Sequence, residues 1–211
     1  MNKIAKNRKT GGRFMIETVA SSPIYSREQF TEEQKEIERM VIDFCEGKVF
    51  PHRERIEGKD LDLTITLLRE MGELGLLSID IPERLGGMEM NKVTGAIVAE
   101  ALSSAASAAF TVTASTQTGI GMLPIVWFGN EEQQEKYLPR LSTGEWIGAY
   151  ALTEPSSGSD ATSAKTVAKL SDNGTHYILN GEKQFITNGG IADVYTLFAQ
   201  VDGEKFSAFI I

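Results

Sequence analysis

The chain has 211 residues, of which 41% are hydrophobic and 24% are charged. This length and composition suit a globular protein with one large domain or two small ones. The formal net charge of -8 argues against a general nucleic-acid-binding protein, for which a basic surface is expected. The single cysteine, Cys45, excludes an intramolecular disulfide, and no apolar run is long enough for a transmembrane helix.

The start of the chain is basic and polar. Lysines and arginines recur from Lys3 to Arg13, but no apolar stretch follows them as it would in a secretory signal. We predict that residues 1–29 form a leader that is flexible at its start. Cys45 lies inside a helical pattern and is predicted to be a buried thiol, which fits a reducing, cytoplasmic location.

Residues 30–146 carry helical patterns. Thr31 and Gln34 have the spacing of a capping box, and apolar residues recur at helical spacing from Ile37 to Phe44. Pro51 is predicted to end or bend this first helix. A second apolar pattern runs from Ile65 to Met71, extends to Leu74 in one interpretation, and breaks at Gly75.

The next stretch, 91–128, is dominated by small residues, which favour close helix packing or leave room for a ligand. Asn130 is predicted to cap a further helix. Near Ile147 the pattern changes to strands, with turn signals at Asn173-Gly174 and Asp202-Gly203. The last strand runs apolar to Ile211, which predicts an uncovered strand edge and therefore an incomplete β domain over residues 147–211.

Two stretches carry candidate chemistry. The first signature segment, residues 150–160, is a strand that enters a turn rich in hydroxyls and glycine. Such a turn can direct backbone N–H groups and hydroxyls at an anion such as phosphate, although its composition alone also fits an ordinary surface turn. The second signature segment, residues 180–190, is a strand followed by a glycine turn.

The two segments read Leu-Thr-Glu-Pro-x-x-Gly-Ser-Asp and Asn-Gly-x-Lys-x-Phe-Ile-Thr-Asn-Gly. In this order they resemble the acyl-CoA dehydrogenases, and the resemblance runs from about Phe30 to Ile211. Gly11-Gly12-Arg13-Phe14 and the Pro-Ser-Ser-Gly-Ser-Asp variant resemble the long-chain branch. The resemblance implies an α+β fold in which an all-α domain (30–146) precedes a β-barrel-like antiparallel domain (147–211), here truncated.

The resemblance also implies FAD as cofactor, and the absence of a Gly-x-Gly-x-x-Gly turn agrees with a family that does not use a dinucleotide-binding βαβ unit. Tyr150, Leu152 and Thr153 would line the flavin ring. Gly158 would allow close backbone approach, and Ser159 would hydrogen-bond the diphosphate. The remaining implied cofactor contacts are Phe185, Ile186 and Thr187, with the Thr187 hydroxyl near the atom that accepts hydride.

The implied reaction is α,β-dehydrogenation of a fatty acyl-CoA thioester in β-oxidation. Val112, Thr116 and Ile120 would line the acyl pocket from one helix, and the modest bulk of Val112, Thr116 and Gly119 suits longer acyl chains. The proton-abstracting Glu of the family lies in a carboxy-terminal helical bundle that these residues do not include. We therefore expect a fragment that is inactive alone, with no catalytic residue of its own.

The implied partners are other copies of the chain, in a homo-oligomer, and an electron-transferring flavoprotein. Glu154 and Asp160 are interpreted as turn-stabilising acids. His52 and His176 have no nearby partner acid or nucleophile in sequence, and no metal-ligand spacing occurs. Two alternatives stay open: an acyl-CoA oxidase-like flavoprotein, and a non-catalytic remnant that binds acyl-CoA or a partner chain.

Overall fold

The structure is a computed structural model, and it describes residues 25–203 and 205–211. Most of the predicted leader therefore lies outside the described residues. The first described element is a single 3-10 turn, Arg27–Gln29.

The helical part follows at once. Its α-helices, numbered in chain order, are α1 (Glu32–Phe44), α2 (Arg53–Glu57), α3 (Leu61–Glu73), α4 (Lys92–Ala101), α5 (Ala108–Thr118), α6 (Leu123–Phe128) and α7 (Glu131–Ser142).

Two predicted helix starts are confirmed. Thr31 accepts a hydrogen bond from the Gln34 backbone N–H, and the Gln34 side chain accepts one from Thr31 N–H, which completes the capping box of α1. Asn130 and Gln133 make the same reciprocal pair at the start of α7. Each pair satisfies two N–H groups that the first helical turn cannot.

The first helix changes its winding before Pro51, as predicted. After α1 the chain forms wide turns over Cys45–Val49 and a 3-10 turn over Phe50–His52. Proline lacks an N–H and its ring crowds the carbonyl four residues earlier, which disfavours a regular α-helix through this position. Cys45 lies in these turns and is fully buried, which confirms the predicted buried thiol.

The core of the helical part is built from the predicted apolar positions. Val41, Leu68 and Met71 have no exposed surface, whereas Leu74 is 44% exposed and does not belong to the core. Gly75, with φ of 77°, turns the chain away directly after Leu74. A left-handed residue just past a helix is a common stop, and glycine adopts it at little cost.

The β part is one five-stranded sheet. Its strands are β1 (Gly148–Ala151), β2 (Val167–Leu170), β3 (Tyr177–Asn180), β4 (Val194–Val201) and β5 (Lys205–Ile210). β4 is central: β1 and β2 both run parallel to it along one edge, and β5 pairs antiparallel along the other. β2 and β3 form an antiparallel hairpin.

The α+β architecture is confirmed, with one correction. The sheet is mixed, not antiparallel throughout, because β1 and β2 reach β4 by long connections and not by tight turns. The two predicted turns are present, with positive φ at Gly174 in one and at Asp202 and Gly203 in the other. In the part of the chain that the structure describes, the sheet does not close: β3 and β5 each pair along one edge only.

None of the helices within the described ranges is long and apolar enough to cross a membrane.

Candidate functional site

The two signature segments meet at the end of β1. The backbone N–H of Gln184 donates to Thr153 O at 2.9 Å, which places the second segment directly beside the first. Tyr195 on β4 binds the second segment: its hydroxyl donates a hydrogen bond to Gly189 O at 2.7 Å. Segments that are separate in sequence therefore form one surface.

A buried ion pair joins the same two segments. Lys183 Nζ lies 2.8 Å from Glu154 Oε1, and the two side chains are only 9% and 4% exposed. Lys183 Nζ also donates to Leu152 O at 3.1 Å. A buried ion pair stabilises a fold only when further hydrogen bonds satisfy it, and this one is well supplied. The two charges therefore neutralise each other inside the protein.

Glu154 is fixed as a carboxylate. Besides Lys183 it accepts hydrogen bonds from the backbone N–H groups of Lys165 and Thr166 and from the Thr166 hydroxyl. Burial by itself raises the pKa of Glu154, but the hydrogen bonds from Lys183, Thr166 and Lys165 outweigh it and lower the pKa to about 2. A carboxylate this acidic and this fully bonded is a poor proton acceptor at neutral pH.

The hydroxyl-rich turn of the first segment is held by its own residues. Glu154 and Ser157 exchange backbone hydrogen bonds, and the Ser157 hydroxyl donates to Asp160 O at 2.7 Å. The Asp160 carboxylate accepts from the hydroxyls of Thr162 and Ser163. This geometry agrees with turn-stabilising roles for both signature acids. Gly158 and Ser159 are left exposed at the tip.

Several predicted cofactor residues lie on this surface and have polar or aromatic groups that make few contacts with other described residues. A Cβ placed on Gly158 would meet no atom within 4 Å, so the described structure gives no reason for a glycine there. The hydroxyls of Thr153 and Thr187 make no hydrogen bond to any other described residue. Phe185 is 84% exposed and has φ of 57°, an unfavourable combination for an aromatic residue.

A cleft of about 690 Å³ lies between α6 and the sheet. On the sheet side, Tyr150, Thr196 and Ile210 form one row across β1, β4 and β5. On the helical side, Ile120 and Trp127 line it. The lining is uncharged, and burial raises the pKa of Tyr150, so its hydroxyl is neutral and can donate or accept a hydrogen bond.

The cleft brings together one predicted cofactor residue, Tyr150, and one predicted substrate residue, Ile120. It does not include Val112, which is 50% exposed, or Thr116, which is buried. Ile120 also lies beyond the predicted helix, because α5 ends at Thr118. Ile186 faces a smaller hollow of about 380 Å³ together with Ala151 on the opposite face of β1 from Tyr150.

Sequence reasoning missed three buried polar residues near the site. Gln117 on α5 is fully buried, Asn188 is 8% exposed and Thr196 is 3% exposed. Thr196 Oγ1, which borders the cleft, has no hydrogen-bond partner among the described residues. The small-residue stretch around Gln117 gave no signal for it, whereas Asn188 stood in the second signature segment.

The two histidines lie away from this site, and both are exposed. In the ranges that the structure covers, no group of three or more His, Cys, Asp or Glu residues has a geometry that could hold a metal ion.

The sequence matches two family models. One is the acyl-CoA dehydrogenase N-terminal domain over residues 31–145, and the other is the acyl-CoA dehydrogenase middle domain over residues 149–211. A probable acyl-CoA dehydrogenase of Bacillus subtilis (strain 168) is 50% identical over 211 residues, which is 100% of this chain and 35% of that protein. The chain thus spans about a third of the length of this curated relative.

Two further proteins show the same likeness. The mitochondrial very long-chain specific acyl-CoA dehydrogenase of Macaca fascicularis is 35% identical over 95% of this chain and 31% of its own length. The crystal structure of an acyl-CoA dehydrogenase complexed with FAD from Bacillus anthracis is 52% identical with a TM-score of 0.86, covering 89% of this chain and 32% of that one. The chain therefore belongs to the acyl-CoA dehydrogenase family.

Proposed function

We propose that this chain is the amino-terminal part of an enzyme that uses FAD to dehydrogenate fatty acyl-CoA thioesters between their α and β carbons. The observation that carries the proposal is the junction of the two signature segments at the end of β1, locked by the Lys183–Glu154 pair. That junction presents glycine, hydroxyl and aromatic groups that the rest of the described chain does not use.

The residues at the junction fit a flavin. Gly158 and Ser159 offer an exposed turn whose backbone and hydroxyl groups can bind a diphosphate, and open space beside Gly158 allows close approach. The Thr153 and Thr187 hydroxyls are available for the polar edge of the ring. Phe185 offers an aromatic face, and its exposure and its left-handed backbone are explained if a ring covers it.

The reaction removes one proton and one hydride from the thioester and leaves a carbon–carbon double bond. FAD, when bound, accepts the hydride from the β-carbon. A carboxylate must accept the α-proton, and Glu154 is unsuited because its oxygens are already bonded and its pKa is about 2. We propose that a carboxylate outside these 211 residues supplies this base, so that the 211 residues alone bind ligand without turnover.

The substrate and partners are part of the same proposal. The uncharged cleft beside Ile120 suits an apolar acyl chain, and its volume of about 690 Å³ suits a longer one. We further propose a homo-oligomer in the cytoplasm that passes electrons to an electron-transferring flavoprotein. We also propose a division into a helical part, residues 30–146, and a β part, residues 147–211, which the end of α7 at Ser142 and the start of β1 at Gly148 support.

The test uses the protein expressed from its intact gene. FAD is titrated into the apoprotein. Acyl-CoA thioesters of about four to sixteen carbons, from short to long chains, are then added without oxygen. Bleaching of the flavin absorbance, strongest with long chains, is the expected result. A protein that binds no FAD contradicts the proposal, and a sharp preference for the four-carbon thioester contradicts its chain-length part.

The same samples separate the two alternatives. Oxygen consumption coupled to acyl-CoA turnover without any other electron acceptor would identify an oxidase. Binding of acyl-CoA with no bleaching at any chain length would identify a non-catalytic binding protein. Size-exclusion chromatography with and without FAD measures the oligomeric state in parallel.

A further inference from the structure

Both backbone groups of Gly148, the first residue of β1, are bound by side chains from other segments. Gln117 Oε1 accepts the Gly148 N–H at 2.7 Å, and Asn188 Nδ2 donates to Gly148 O at 3.1 Å. Gln117 belongs to α5, and Asn188 belongs to the second signature segment. Three segments of the chain therefore meet at one residue.

Gln117 is the hub on the helical side. Its side chain is fully buried, and its amide nitrogen donates to Leu141 O at 2.8 Å and to Trp146 O at 2.9 Å. One amide thus satisfies three backbone groups: one at the end of α7, one in the connection to the sheet and one at the start of β1. A buried polar side chain is tolerated when its hydrogen bonds are complete, and its removal leaves each partner unsatisfied.

Asn188 is the hub on the sheet side. It has φ of 64°, and its Nδ2 donates to Thr113 O on α5 at 3.3 Å as well as to Gly148 O. Asparagine accepts the left-handed backbone more readily than other residues with a side-chain amide. Its Oδ1 is buried and has no partner among the residues that the structure describes, which costs stability.

Glycines bring the same two elements into contact. A Cβ on Gly148 would lie 3.0 Å from Gly121 O, and a Cβ on Gly121 would lie 3.2 Å from Gly148 O. Side chains at either position would push the turn after α5 away from β1. The hydrogen bonds and the close approach therefore define one spacing between α5 and β1.

We propose that Gln117 and Asn188 are positioning residues that hold the turn after α5, with Ile120, at a fixed spacing from β1, with Tyr150. Ile120 and Tyr150 line the uncharged cleft from its helical and sheet sides, so this spacing sets the width of the cleft. This inference rests on the proposed function, in which the cleft takes the acyl chain. The affinity for the acyl chain then depends on these two amides.

The experiment measures acyl-chain binding in the FAD-loaded protein expressed from its intact gene. The dissociation constants of a long-chain, non-oxidisable acyl-CoA analogue and of free CoA are determined by calorimetry, and the ratio of the two gives the contribution of the acyl chain. Gln117→Leu removes the first amide at similar volume, and Asn188→Gly removes the second while keeping the left-handed backbone. Gln34→Leu is the matched control, because Gln34 is a buried amide on α1 whose side chain bonds Tyr25, Thr31 and Thr94, away from β1.

The expected result is tighter binding of the analogue than of free CoA to the wild type, and a loss of about fivefold or more of this preference in Gln117→Leu and Asn188→Gly. Gln34→Leu should lower the unfolding temperature and keep the wild-type ratio. An unchanged ratio in both site variants overturns this inference alone. A wild type that binds no FAD overturns the proposed function with it. If Gln117→Leu does not fold, Asn188→Gly decides the question.

Discussion

Lys183 Nζ and Glu154 Oε1 are 2.8 Å apart in a site where both side chains are almost completely buried. The two residues come from different signature segments, 29 positions apart in the chain. Their contact joins the two segments into one surface with a defined spacing. Around it the backbone bond from Gln184 to Thr153 O fixes the alignment of the segments.

Replacing Lys183 with methionine tests the energetic role of this pair. The change leaves the Glu154 carboxylate buried without its cation, and loss of one partner from a buried pair costs about 3–5 kcal/mol. We expect the free energy of unfolding to fall by about 3 kcal/mol, the low end of this range, because hydrogen bonds from Lys165 and Thr166 to Glu154 remain. Urea denaturation followed by circular dichroism measures it.

Lys48→Met is the matched control for that variant. Lys48 pairs with Glu70 at 3.1 Å, but the two side chains are 61% and 36% exposed, so about 0–1 kcal/mol is expected. Equal losses in the two lysine variants would contradict the assigned role of the buried pair.

Acid stability provides an independent test of Glu154. Its pKa is lowered from 4.5 to about 2 in the folded protein, so the unfolded chain binds the proton more readily. The stabilisation is therefore complete above pH 4.5 and is lost as the pH falls toward about 2, with a total of about 3 kcal/mol at about 1.4 kcal/mol per pKa unit. Urea midpoints measured between these pH values should fall more steeply for the wild type than for Glu154→Gln. Parallel curves would exclude Glu154 as a source of the pH dependence.

A substitution at Gly158 tests ligand binding independently of folding. Gly158→Val places a side chain in open space and should change the free energy of unfolding by no more than about 0.5 kcal/mol. The same side chain obstructs close approach of a diphosphate, so FAD affinity should fall about tenfold or more, which corresponds to about 1.4 kcal/mol. Thermal unfolding and a flavin fluorescence titration check the two parts. Gly47→Ala, also in open space but far from the site, should leave FAD affinity unchanged.

Cys45 provides a test of the helical core. Its thiol is fully buried, and burial raises its pKa, so little thiolate forms at neutral pH. We expect a thiol reagent at pH 7.5 (about one unit below the usual pKa of a free cysteine) to modify it only after urea is added. Rapid modification of the native protein would show that the wide turns around Cys45 open readily.

The local features of this protein are determined by its sequence. The capping boxes at Thr31 and Asn130, the break before Pro51 and the turns at Gly174 and Gly203 depend on residues a few positions apart. Such features depend on the local sequence, so they can be predicted without knowledge of the tertiary structure. The signature segments likewise indicated the family, because a string of residue types needs no coordinates to be recognised.

The relations between segments were decided by the tertiary structure alone. The parallel pairing of β1 with β4, the Lys183–Glu154 pair and the meeting of Gln117 and Asn188 at Gly148 join residues that lie tens of positions apart. Periodicity shows which face of a strand or helix is apolar, but it does not show which strand lies beside it or which buried charge faces another. Those choices depend on how the whole chain packs, because a buried polar group is stable only where another segment supplies its partner.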